Sequence, residues 1–172
     1  MFRDKLLKSI LIAGVFFSLL PAGCKPGQPA STQALVPTLK PRLVQQKPLH
    51  TEIEVGTFTG VIVIKFVEGS DIRLRAGKLV SLSNGSVDEL DELFARFPLD
   101  ALERQFSQPE DQLAREQAAL ETETGEDMAD LNLYFRLTLK NKVDGAALID
   151  ALNALPIVEL AYPEPAPAPP PQ

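Results

Sequence analysis

The chain is 172 residues long and carries a formal charge of −6 at pH 7, with a single cysteine, Cys24, and a single histidine, His50. That length holds one domain of ordinary size with flanking pieces, and has no room for a full hydrolase or a doubly wound dehydrogenase beside them. The acidic balance disfavours nucleic acid as a partner, because phosphate binding needs clustered Lys and Arg, and a lone cysteine excludes an intramolecular disulfide.

Residues 1–23 read as an export signal. Arg3, Lys5 and Lys8 form a basic head, and the apolar run "ILIAGVFFSLL" that follows is too short to span a bilayer. Ala22 and Gly23 before Cys24 resemble the lipobox of bacterial lipoproteins, which implies a lipid on Cys24 and attachment to a membrane through it. Pro21 stands where that pattern usually has an aliphatic residue, so cleavage by an ordinary signal peptidase is the alternative. Lys25 gives no aspartate-type inner-membrane retention signal. The resemblance therefore implies an exported protein, lipid-anchored in the cell envelope at the outer membrane, with a periplasmic or secreted form as the alternative.

Residues 24–51 are rich in Pro, Gln and Ser/Thr without a sustained period, and predict a flexible tether, disordered or loosely laid on the domain. The domain itself is expected over 52–165, with 166–172 as a proline-rich tail. Val61 to Val67 is an apolar, β-branched run suited to a central strand. Ile72, Leu74, Leu79 and Leu82 around Ala76-Gly77 predict a weak hairpin or irregular excursion, and Asn84-Gly85 a turn. Ser86 with Glu89 three residues on has the form of a capping box, Val87, Leu90, Leu93, Phe94 and Phe97 recur at helical spacing, and Pro98 closes the run. Leu102 to Ser107 is a weak strand. Pro109, Glu110 and Asp111 open a helix over 109–124 with Gly125 as its stop. Its stripe of Leu113, Ala114, Ala118 and Leu120 is thin, so the helix is expected at the periphery.

"DLNLYFRLTLK", from Asp130, alternates cleanly. Leu131, Leu133, Phe135, Leu137 and Leu139 share one face, and Asn132, Tyr134, Arg136, Thr138 and Lys140 share the other. A helix follows, with Ala147, Leu148, Ala151, Leu152 and Leu155 on its apolar side and Pro156 at its end. "IVELAY" is the last strand, and Pro163 is expected to stop it. Without the extra helix the order is βαββαβ, the split arrangement of ferredoxin-like folds. The predicted class is α+β: a four-stranded antiparallel sheet, two helices on one face, an inserted helix, and a free second face.

Catalytic constellations are missing. His50 lies in the tether, away from any core relay, and "VEGSD" lacks the G-x-S-x-G frame of a nucleophile elbow. With Cys24 in the leader neither a Cys/His nucleophile nor a zinc cluster can be assembled. The acids Asp88, Glu89, Asp91 and Glu92, like Glu121, Glu123, Glu126 and Asp127, read as wet helix faces rather than a glycosidase pair. The chain is expected to bind rather than catalyse, with no catalytic residue, cofactor or metal.

"LIDALNALPIVELAYPEP", Leu148 to Pro165, together with "GVIVIKFVEGSDIRLRAG" from Gly60 and "DLNLYFRLTL" from Asp130, resembles the N-terminal prodomain of subtilisin-like serine peptidases. Val158-Glu159, Tyr162 and Glu164-Pro165 fit the frame of that domain's final strand, and the likeness covers residues 58–165. It implies an inhibitor and folding assistant that sets its open sheet face against the peptidase and lays its C-terminal segment in the substrate cleft. On that likeness Asn132, Tyr134, Arg136, Thr138, Val158, Leu160 and Tyr162 become interface residues, and Pro163, Glu164 and Pro165 begin the cleft-entering arm. The peptidase's own Asp, His and Ser are not among the 172 residues, the 109–124 helix is an insertion, and "PAPAPPPQ" is richer in proline than a substrate-like arm. These departures leave three uses open: a free-standing inhibitor or chaperone, a truncated precursor, or a domain put to another use. The alternative reading is a non-catalytic structural or adaptor lipoprotein of the bacterial envelope.

Overall fold

A computed structural model describes residues 38–54, 56–83 and 85–165. The export signal, Cys24 and the tail after Pro165 lie outside the described residues. In chain order the elements are β1 (Val61–Phe66), β2 (Ile72–Arg75), β3 (Lys78–Ser81), α1 (Asp88–Arg96), β4 (Leu99–Arg104), α2 (Glu110–Thr124), β5 (Tyr134–Leu139), α3 (Gly145–Ala154) and β6 (Val158–Pro163). Short 3-10 turns at Leu131–Leu133 and Lys142–Asp144 lead into β5 and α3.

The fold is mixed α+β. Four strands form an open antiparallel sheet in the order β4-β5-β1-β6, and β2 pairs only with β3. The β-branched run in β1 accounts for its central place: Ile62, Ile64 and Phe66 on one face and Val63 and Lys65 on the other are all buried. From β5 the alternating Phe135, Leu137 and Leu139 join the first set, and Leu90 and Leu93 of α1 and Leu148, Ile149 and Leu152 of α3 close the same core.

β4, α1 and α3 each differ from their sequence-based expectation. β4 begins at Leu99, not Leu102, because the chain returns to the sheet directly after Pro98, whose carbonyl accepts from the Lys140 N–H (3.1 Å). Leu102 then lies opposite Leu137, on the core side. In α1 the N-cap position falls on Val87 without a side-chain cap bond, and the Ser86 hydroxyl accepts from the Asp88 N–H (3.1 Å), not from Glu89 as a capping box requires. In α3 the buried side carries Ile149 and Asn153 beside Leu148 and Leu152, while Ala147 is exposed. At Gly145, on the buried side, a Cβ would come within 2.4 Å of the Phe58 ring, which occupies the space.

α2 buries only Leu113 and leaves Leu120 exposed. Its first turn is tied down by Glu110, which accepts two 2.7 Å bonds from Arg75, and Gly125 ends it in the left-handed region (φ 70°). A version with residues 108–125 replaced by a short linker is therefore expected to unfold cooperatively, losing about 1.5–3 kcal/mol for one leucine. Circular dichroism through a urea titration reads this. A chain without sheet signal would make α2 integral to the core.

The stretch expected as a tether is laid along the domain over its described part. The Lys40 N–H donates to Gly125 O and the Asp127 N–H to Lys40 O, both at 2.8 Å. Lys47 Nζ donates to Leu155 O (2.8 Å), and Asp150 receives the Thr51 N–H and the His50 ring, each at 2.8 Å. These contacts use charged ends and backbone, which is why no apolar period marks them.

Candidate functional site

The sheet's second face carries Val61, Val63 and Lys65 of β1 beside Thr138, Arg136 and Tyr134 of β5, paired in that order. On the other side Tyr162 lies opposite Val63 and Leu160 opposite Lys65. Between Lys65 and Phe66 the register shifts, so β6 holds one more residue than β1 at this point. The extra residue is Glu159, and it turns the strand's alternation over.

That bulge corrects one expected interface residue. Val158 stands opposite Phe66 and is fully buried in the core, not on the accessible face. Asn132 is a second correction. It precedes β5 in the 3-10 turn and is 3% exposed, accepting from Arg104 (3.1 Å) and donating to Glu110 O (3.0 Å), so it joins β4 to α2. Pro163 is a third. It is the last residue of β6 rather than the first of the arm, and Glu164 after it still donates its N–H to Val61 O (2.9 Å). Amides alternate along a strand, so the Pro163 nitrogen points away from β1 and no ladder bond is lost. Glu164 also accepts from Arg136 (2.8 Å), which leaves Pro165 as the first exposed residue of the arm.

Tyr134, Leu160 and Tyr162 are brought together around Lys65. They line a cleft of about 1050 Å³ walled by Arg42, Leu43, Gln45, Gln46 and Pro48 and by residues 127–129. Arg136 and Thr138 lie on the same face towards β4, outside the cleft lining.

A charge cluster forms one end of the cleft. Lys65, only 3% exposed, places Nζ 2.7 Å from Glu159 and 2.6 Å from Glu68, and 5.6 Å from the centre of the Tyr134 ring. Arg42 enters from the opposite wall with a two-pronged contact on Glu159, and lies 3.3 Å from Glu68 and 3.9 Å from Asp127. Burial works against ionisation of Glu159, but the hydrogen bonds from Arg42 and Lys65 outweigh it and hold the carboxyl below its usual range. Burial, then the charge of Glu159, raises the Tyr134 phenol, and burial with Glu164 raises that of Tyr162.

None of Arg42, Lys65, Glu68, Asp127 and Glu159 was singled out by the sequence reading as a functional residue. Lys65 did carry a signal, as the only charge within the apolar run 61–67. A lysine buried on a strand needs an anion. Arg42 and Asp127 carry none, since their meeting depends on chain segments far apart in sequence.

The depressed Glu159 carboxyl fixes a pH dependence. The folded state keeps it anionic where the unfolded chain already takes up a proton. Its stabilisation is present above the ordinary glutamate value and is lost as pH falls through the lower folded value. Glu159→Gln should be the less stable form at neutral pH and lose less than the parent on acidification to about pH 3. Urea midpoints of the two proteins at both pH values test this, and parallel losses would remove Glu159 as a contributor.

Chemically the cluster is a set of mutually satisfied charges beside an aromatic and aliphatic floor. Among the described residues no His, Cys, Asp and Glu group has the arrangement of a metal site, and no helix is long and apolar enough to cross a membrane. No protein-family model matches the chain, and neither a curated protein nor a solved structure gives a significant match.

Proposed function

We propose that the domain is a non-catalytic binding module of the subtilisin-prodomain kind, which inhibits a serine peptidase or assists its folding. One observation carries the reading. The chain is held on the sheet up to Glu164, by its N–H on Val61 and its carboxylate on Arg136, which gives whatever follows a fixed root. Fixing the root lowers the entropy lost when the following residues enter a groove. The strand order β4-β5-β1-β6 is the order of a ferredoxin-like βαββαβ unit, and α1 and α3 share one core, which supports the finer fold expected from the sequence. Tyr134, Leu160 and Tyr162 add an apolar centre beside the polar Arg136 and Thr138, as interfaces need. Export and a lipid on Cys24 belong to the same proposal.

Inhibition kinetics against a subtilisin-type peptidase test it, with the processed chain compared with a version ending at Pro165. The longer form is expected to bind about 10-fold tighter, through pre-organised arm residues. Equal inhibition by both would make the tail a spacer and confine binding to the sheet face. If neither form binds, the adaptor reading replaces this one. The ion-paired strip of Arg136 and Glu164 next to exposed Glu103 is the observation that favours that second reading.

A further inference from the structure

Arg42, Leu43, Gln45, Gln46 and Pro48, within the segment 40–48, form one wall of the cleft on the second sheet face, and the segment is oriented unlike an ordinary packed one. Leu43 is 98% exposed and Val44 57%, while the Arg42 side chain is only 16% exposed and points at the sheet. The segment shows Leu43 and Val44 to water and directs Arg42 inward, while Lys40 stays 74% exposed. Hydrophobic burial therefore does little to hold it. Its attachments are Arg42 on Glu159, Glu68 and Asp127, Lys47 on Leu155 O, Lys40 on Glu126, and at its N-terminal end the two backbone bonds between Lys40 and residues 125 and 127.

We infer that residues 40–48 are a displaceable strap that gates the second sheet face, with Arg42 as its latch. The floor it borders, Tyr134, Leu160 and Tyr162, is the apolar part of the surface assigned above to the partner. The identity of that partner rests on the proposed function, but the gate does not. Withdrawing Arg42 leaves Lys65 as the one cation against Glu159 and Glu68, and takes from Asp127 its Arg42 contact. A surface that brings a guanidinium or ammonium group to this point restores the balance, so a partner with a basic side chain at the contact is the one that opens the strap. Salt opens it too, since the outer contacts of Arg42, Lys40 and Asp127 are partly exposed and screened.

The chain's two tyrosines, Tyr134 and Tyr162, both line this cleft and report on the gate without any partner. Their nitration by tetranitromethane, mapped by mass spectrometry, is measured on the processed chain. Arg42→Ala is expected to raise the nitration rate about 10-fold by populating the open form. In the parent, about 1 M NaCl, where the screening length falls to about 3 Å, should move the rate in the same direction. Lys47→Ala removes the bond to Leu155 O and leaves the carboxylates their cations, so it provides the comparison if Arg42→Ala does not fold. Rates that stay within about twofold in the variants and in salt overturn the gate.

The same proteins are then assayed against a subtilisin-type peptidase. Tighter binding by the opened variants supports gating of this face. Weaker binding with faster nitration overturns it, because the strap would then belong to the interface. Faster nitration with no binding by any form removes the peptidase reading and leaves the gate standing.

Discussion

Phe135→Ala is expected to lower the unfolding free energy by about 3–5 kcal/mol, the range for truncating a fully buried aromatic residue. Phe135 is completely buried on β5, opposite Ile64 of β1, and its ring meets Phe66 edge-on with centroids 5.6 Å apart. Both strands flanking β5 are locked to it by ladder hydrogen bonds, so the backbone cannot close over the space left behind. The lost aromatic pair adds to the lost burial. Domains of this size hold only about 5–15 kcal/mol in total, so the variant should sit near the edge of folding. In a urea titration the midpoint should fall with little change of slope. A loss under about 1 kcal/mol would mean that the side chain is not in a close-packed core. Leu152→Ala, on the facing helix, is expected to cost about 2–5 kcal/mol for the same reason.

Phe135 was legible in the sequence because its whole strand alternates, and alternation is a local property that survives into the fold. The same holds for β1, where a run of β-branched residues marks a strand covered on both faces, and for the Leu90 and Leu93 side of α1. The places where sequence and structure part have physical causes of a different kind. Val158 faces the core because a single bulge at Glu159 inverts the alternation, and a bulge is a property of two paired strands. Pro163 stays in β6 because β6 is an edge strand, which depends on the order of strands rather than on their sequences. Asn132 looked like one more polar residue of an alternating strand, but Arg104 and Glu110 draw it into the turn before β5. The charge cluster was the least legible part. Arg42 and Glu159 are 117 residues apart in sequence, and nothing local to either predicts the other.

Asn153→Ala is expected to cost about 2–6 kcal/mol, from two buried backbone groups that each lose about 1–3 kcal/mol when left without a partner. Asn153 lies on the buried side of α3 at 6% exposure, where a sequence reading for apolar stripes passes over it. Its Nδ2 donates to Ala161 O (3.0 Å) and its Oδ1 accepts from the Ala161 N–H (2.8 Å). Glu164 donates towards β1, so by alternation the Ala161 groups face the outer edge of β6. One amide side chain thus satisfies both edge groups and pins the strand to the helix behind it. Aspartate at this position separates the two bonds. As a carboxylate it still accepts from the Ala161 N–H but faces the carbonyl oxygen without a proton to donate, and burial opposes its charge. Folding then favours the protonated acid, so Asn153→Asp should be weakest at neutral pH and recover as pH falls through the carboxylate range. Asn153→Ala should show no such recovery relative to the parent. Urea midpoints of parent, Asn153→Ala and Asn153→Asp across that range make the comparison, and equal pH dependence of the two variants would remove the paired bonds as the cause. The alanine variant has a further consequence at the sheet edge. Beside Pro163, which offers no N–H, Asn153 is what keeps Ala161 from pairing with another chain. Its removal should give association that rises with concentration in sedimentation equilibrium, while the parent is unaffected by this route.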